Sequence, residues 1–200
     1  MGSLGTTSNA DRLTAVLKSD RLHREVFQEL AIASALTQRE WEKARQKRPT
    51  YSIQDLDRVA LELVHAYPEL VVGVDEENPE RGILSLSDEA LQRRLNALEG
   101  LTTGEATPAE LETVREEWYR KLSETFQEFK ELMFFDQTLE GTLVVEARFP
   151  EDPQMAAAIA NRFVARLKAY LDENSFSQAH RVPTLFGGLY SGLRGEATPL

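Results

Sequence analysis

The stretch "EGTLVVEARFPEDPQMAAAIANRFVARLKAYLDENS", Glu140 to Ser175, is the most organised run in this chain. It reads as a strand, a tight connection and a long helix. Gly141 marks a turn, and Leu143, Val145 and Ala147 then alternate with Thr142, Val144, Glu146 and Arg148, the period of a strand with two unlike faces. Asp152 is a good helix cap, and Pro153 fits the first helical position, where its missing amide costs nothing. Ala156, Ile159, Ala160, Phe163, Val164, Leu167 and Leu171 follow at helical spacing, and the alanines let such a helix lie close to a sheet. No recognisable catalytic group stands at the junction. An α/β unit without chemistry at its elbow points to assembly rather than to an enzyme.

Upstream, the pattern is mainly helical. From Asp11 to about Ala35, Leu13, Val16, Leu17, Leu22, Val26, Phe27, Leu30 and Ala33 recur near helical spacing, with a polar step at Lys18–Ser19–Asp20 that separates a short first helix from a second. "TQRE", Thr37 to Glu40, has the form of a capping box and predicts the start of a short helix that ends before Pro49. Ile53, Leu56, Val59, Ala60, Leu63 and Val64 make the next amphipathic stripe, which Pro68 closes. "ELVVGV" and "GILSLS", separated by "DEENPER", predict a hairpin, and Ser87 is placed to cap a following helix "DEALQRRLNAL". After the break "EGLTTGEATP", Thr107 to Glu110 is a second capping box. Leu111, Val114, Trp118, Leu122, Phe126, Phe129 and Met133 then recur at steps of three and four. They predict one long amphipathic helix over about residues 108–133, projecting or packed against a neighbour, with Trp118, Leu122, Phe126 and Phe129 as candidate interface residues.

The expected architecture is α+β: a small mixed sheet packed by helices, with that long helix extending from it. Residues 1–10 read as a tag remnant or disordered segment, residues 11–175 as a single α/β domain, and residues 176–200 as an irregular tail with sparse apolar anchors at Leu185, Phe186, Leu189 and Tyr190.

Charge narrows the partners. The formal net charge is −10, but residues 1–50 carry +3 and residues 51–150 carry −13. An acidic middle repels phosphate backbones, so no nucleic-acid partner is expected. The basic run "KARQKR", Lys43 to Arg48, reads as the cationic last turn of a helix. The chain has no cysteine, which removes disulfides, thiolate metal sites and cysteine nucleophiles together. No apolar run approaches the ~18–20 residues that cross a bilayer. His23, His65 and His180 each stand alone, without metal-ligand spacing. The acids Asp75 to Glu80 lack calcium-loop spacing, and "FGGLYSG", Phe186 to Gly192, lacks the lysine and serine or threonine of a phosphate loop. No catalytic residue, metal or cofactor is called for.

The elbow carries one family resemblance. A strand, an Asp-Pro step and an Ala-rich helix with Ile-Ala-Asn in its first turns resemble the membrane-proximal part of bacterial polysaccharide co-polymerases, the Wzz-type chain-length determinants. The matching residues are Asp152, Pro153, Ala157, Ile159, Ala160 and Asn161, and "LTAVLKSDRLHREVFQELAI" resembles the family's early segment. The resemblance covers about half of the chain. It implies a periplasmic domain on the bacterial inner membrane, a homo-oligomeric ring held by membrane segments outside this chain. That ring would act beside a polysaccharide polymerase or its nascent polysaccharide to set the length of O-antigen, capsule or exopolysaccharide. Asp152 would then be a cap and Asn161 a polar group at a packing seam. Departures are the missing membrane anchors, a short central helix and few prolines near the C-terminal end. The alternative reading is a soluble, cytoplasmic helical adaptor that binds a protein partner through the Leu111–Met133 stripe.

Overall fold

A computed structural model describes residues 9–68, 83, 85–102, 104–138, 142–150 and 152–175. Residues 1–10 and 176–200, the acidic loop, His180 and Gly141 therefore lie wholly or largely outside the described residues. The architecture is α+β: mostly helical, with two small sheets of two strands each packed against helices. Where a single domain over residues 11–175 is expected, the chain divides into two compact units, Arg24–Glu131 and Met1–His23 with Leu132–Leu200. Sequence periodicity shows which face of a helix is apolar but not which distant segment covers it.

The Arg24–Glu131 unit is helical. It contains the C-terminal part of α2 (Asp20–Glu29), then α3 (Ile32–Lys47), α4 (Leu56–Ala66), α5 (Asp88–Asn96) and α6 (Pro108–Glu131). Ala31, in the left-handed conformation at φ 49°, separates α2 from α3. Thr37 does not start a helix: it lies inside α3, and its hydroxyl donates to the Ala33 carbonyl at 2.8 Å. The second capping box behaves as its sequence predicts. The Thr107 amide donates to Glu110 Oε2 at 2.8 Å, and the Glu110 amide donates to Thr107 Oγ1 at 3.3 Å. Ser87 accepts from the Ala90 amide and begins α5.

The long helix α6 is the spine of this unit. It packs along α4, α3 and α5, and its apolar stripe is buried from Leu111 to Phe129, so the expected projection is replaced by packing within the unit. Phe27 meets Phe126 edge-on at 5.3 Å between ring centroids and lies 5.6 Å from Phe129. The buried Arg115 guanidinium, which pairs with Glu112, also donates to Asp88 Oδ1 at 2.6 Å and to the Leu86 carbonyl at 3.1 Å, tying α6 to the start of α5. The hairpin expected after Pro68 falls mostly on residues outside the description. Of its second flank, Ile83 is helical and buried, and Ser85 and Leu86 form a turn.

A short parallel ladder closes the unit: β1 (Tyr51–Ser52) pairs with β2 (Leu101–Thr102). The Tyr51 amide donates to the Gly100 carbonyl at 3.0 Å, and the Thr102 hydroxyl donates to the Tyr51 carbonyl at 2.9 Å. Gly100 has φ 81°, and a Cβ there would lie 2.2 Å from the Pro49 carbonyl oxygen. Only glycine fits this close backbone approach.

The second unit contains α1 (Asn9–Leu17), an antiparallel hairpin of β3 (Met133–Gln137) and β4 (Leu143–Ala147), and α7 (Pro153–Ser175). Helix α7 packs on β4, and α1 packs on β3 and α7. The predicted strand and helix are both present. The partner strand β3 is an addition: the helical spacing that predicts one helix to Met133 ends at Glu131, and "MFFDQ" is strand. His23, which closes the first segment of this unit, donates from Nδ1 to the Ser19 carbonyl at 2.9 Å. Its ring sits edge-on to Phe135 and Phe163, with Ile159 and Phe163 the most deeply buried side chains of α7.

Gly100→Ala is expected to lower unfolding stability by about 3 kcal/mol, the upper end for one strained residue, because left-handed strain and a backbone clash coincide. Gly104→Ala, whose Cβ would meet nothing within 4 Å, should be near neutral. Urea unfolding followed by circular dichroism separates the two.

Candidate functional site

A gathering of buried polar groups lies between α3, β1 and α4. Glu62 is placed inward by α4, where Val59, Ala60, Leu61, Leu63 and Val64 are buried on either side of it. Its Oε2 accepts from Trp41 Nε1 at 2.8 Å, and its Oε1 accepts from Arg58 Nε at 2.9 Å. The Arg58 side chain is 10% exposed and that of Glu62 6%. Arg58 Nη1 donates to the Ala44 and Arg48 carbonyls at 2.7 and 3.0 Å, which satisfies acceptors at the C-terminal end of α3. The guanidinium also lies over the Tyr51 ring, 4.6 Å from its centroid. Burial pushes the Tyr51 hydroxyl well above the usual tyrosine range, and this oxygen has no hydrogen-bond partner among the described residues.

Next to this cluster, His65 stacks on Trp41 with ring centroids 3.9 Å apart, and its Nδ1 is 3.2 Å from Ser34 Oγ. Arg45 covers the Trp41 ring at 4.9 Å and pairs with Glu99. Burial holds the His65 imidazole below its ordinary value of 6.5, opposed by the Ser34 hydrogen bond and by Glu62 and Glu42, and reinforced by Arg45. A serine beside a histidine is the first half of a nucleophile–base arrangement. Here the histidine face is taken by an indole, and the nearest carboxylate, Glu62, is occupied by Trp41 and Arg58. The cluster acts as a clasp between two helices.

The clefts on this unit are shallow and open to solvent. One, lined by Arg48, Gln54, Asp55, Asp57, Arg58 and Glu117, mixes both charges, and the Arg48–Asp55 ion pair lies within it. Others run along the outward side of α6, beside Arg120, Glu124 and Glu128, and between Ile53 and Thr113. Among the described residues no three histidine, aspartate or glutamate side chains gather closely enough to hold a metal ion. The two described histidines belong to different units. The basic run is spent on α3: it supplies Arg45 and Lys47 to the last turn, and Arg48 is the cap residue.

The elbow residues are placed as follows. Asp152 Oδ1 accepts from the Met155 amide at 2.9 Å, a true N-cap, and Pro153 is the first residue of α7. Ile159 is buried and Ala160 half-buried, while Ala157 and Asn161 are exposed together with Ala158 and Ala165. Asn161 is therefore on the outward side of the helix, away from the hairpin seam. The candidate interface residues Trp118, Leu122, Phe126 and Phe129 are 0%, 0%, 7% and 0% exposed. They form core, which takes from the adaptor reading the surface it required. Large exposed apolar side chains occur instead at Phe134, Val144 and Tyr170, and sequence reasoning had not singled out the first and last of these. No protein-family model, curated protein or solved structure matches the chain.

Glu62→Ala leaves the Arg58 cation buried without its carboxylate and should cost about 3–5 kcal/mol in unfolding stability, whereas Arg58→Met with Glu62→Leu should cost much less, since both charges leave together. A double-mutant cycle by denaturant unfolding measures the coupling. For His65, whose neutral form is favoured in the fold, stability is complete above pH 6.5 and falls as pH drops from there towards the lower folded-state value. The wild-type decline over that window should be larger than in His65→Gln, as read from melting temperature against pH.

Proposed function

We propose that the chain is a non-catalytic scaffold that assembles with copies of itself and sets the length of a bacterial surface polysaccharide beside a membrane polymerase. The observation that carries this reading is the division of labour at the elbow. Asp152 and Pro153 are spent on starting α7, Ile159 anchors it to the second unit, and Ala157 and Asn161 are turned outward. Residues that resemble the chain-length determinants thus build the start of a helix and a small-residue outer face. Small side chains on an exposed helix permit close approach of another backbone, which suits assembly.

The elements of narrower content rest on the sequence resemblance at Asp152–Asn161: the periplasmic location, the polymerase or nascent polysaccharide as partner, and the membrane segments outside this chain. Tethering would raise the local concentration of protomers, so that weak contacts between copies would suffice. Among the described residues no helix is long and apolar enough to cross a membrane.

The test is genetic and biochemical. Removing the gene from its host should broaden the surface-polysaccharide length distribution on a gel, and the wild-type gene should restore the modal length. Ala157→Arg with Asn161→Arg, both at exposed positions, should leave the protein level unchanged yet fail to restore it. A length distribution unaltered by deletion overturns the proposal.

A further inference from the structure

Helix α7 and α1 cover one side of the β3–β4 hairpin, but a two-stranded sheet leaves two edges. Here the register shows which backbone groups those edges present. The Arg148 amide donates to the Leu132 carbonyl and the Thr138 amide to the Thr142 carbonyl, each at 2.9 Å. With Phe135 opposite Val145, the even-numbered residues of β4 therefore bond inward to β3. The amides and carbonyls of Leu143, Val145 and Ala147 point away from β3, and no backbone partner meets them among the described residues. Edge strands are ordinarily blunted by a bulge, a proline within the strand or a covering segment. The β4 register is unbroken from Leu143 to Ala147, and Pro150 lies beyond it.

We propose that this edge pairs with the same edge of a second copy, antiparallel about a two-fold axis at Ala147, to form a four-stranded sheet in the order β3–β4–β4–β3. The proposal names the surface for the self-association put forward above and rests on that reading. The argument for a copy of this chain is self-complementarity. Glu146 and Arg148 both lie on the outward face of the hairpin, joined at 2.7 Å within one chain, and both are about half-exposed or more. An axis at Ala147 sets each Glu146 opposite the Arg148 of the copy, twice. An axis at Glu146 or Arg148 would instead set like charges face to face, and an axis at Val145 would set Glu146 opposite Val144.

The same register suits the other face. Ala147 meets itself at the axis, where a small side chain is accommodated most easily, and Val145 meets Phe149, both half-buried. Pro150 lies in the turn that follows β4, beyond the residues that meet around the axis. A four-stranded sheet is also a more stable unit than one hairpin. The exposed Phe134 and Val144, 40% and 41% accessible, would then border a sheet face twice as wide. Because the contact is isologous, it closes a dimer; a larger ring would need a second, different surface.

The test uses the full 200-residue chain. Sedimentation equilibrium should show a reversible dimer. Glu146→Arg and Arg148→Glu, singly, should each weaken it about tenfold by opposing like charges across the axis, and the double exchange should restore it. Melting temperatures of all three, taken at concentrations well below the dimer's dissociation constant, should match the parent, since both side chains are exposed. The chain has no cysteine, so Ala147→Cys should give a disulfide-linked dimer on oxidation, and Phe134→Cys, away from the axis, should not. A chain that stays monomeric at millimolar concentration, or a dimer indifferent to both charge reversals, overturns the inference. Dimerisation through β4 with an unchanged polysaccharide distribution on gene deletion would leave it standing and overturn the functional reading alone.

Discussion

Arg58 is the side chain that most constrains the helical unit. A guanidinium withdrawn from water is costly unless its donors are satisfied, and here they meet one carboxylate and two main-chain carbonyls. The carboxylate is itself held by an indole from a different helix. Two helices, α3 and α4, are thereby fixed in relation to one another by hydrogen-bond geometry, which is directional in a way that apolar packing is not. Around this point the aromatic and aliphatic residues of α4 and α6 pack against one another, with Arg115 and Thr125 the buried polar residues of α6. Burying a charge pair is weak evidence of stability, but it is good evidence of a specified arrangement: the slip of one helix by a single turn would strand every member of the cluster.

The same physics explains why the chain is partly legible from its sequence. Thr107–Glu110 and Thr37–Glu40 carry the same capping signature, and only the first is a cap. Before Thr107 the chain is non-helical and Pro108 follows, so the orphan amides exist and the side chains answer them. Before Thr37 the residues from Ile32 are already helical, so no orphan amide remains and the hydroxyl bonds back to Ala33. Asp152, Pro153 and the Ile159–Phe163 face are legible for the local reasons that govern helix starts. Strand β3 is hidden because Met133 continues the spacing of α6, and because a strand is defined by a partner elsewhere in the chain, here from Leu143 to Ala147. The two-residue ladder of β1 and β2 leaves no periodicity to read. Glu62 looks like a member of a polar face until Arg58 and Trp41 are seen against it. The aromatic stripe of α6 shows the opposite ambiguity: its spacing announces burial, but not whether the covering surface belongs to this chain or to another.

At the elbow, the side chains are taken up by the fold itself. The Asp152 carboxylate is engaged by a backbone amide, the proline fixes the first turn, and the apolar side chains of α7 face the hairpin. What remains outward on α7 is Ala157, Ala158 and Asn161 beside Arg162, Lys168 and Tyr170, and the hairpin turns Phe134, Val144, Glu146 and Arg148 to the same exterior. The proposed function draws on the small residues of that surface.

The pinch between Tyr51 and Leu101 has a further consequence for how this chain tolerates change in length. It staples together two points separated by some fifty residues, with Gly100 pressed against Pro49 to seal the join. The entropy of closing such a circuit grows only logarithmically with its contour, by about 0.6 kcal/mol for each doubling. Added residues between α4 and α5 would therefore burden the staple very little, leaving the helical frame on either side of it intact.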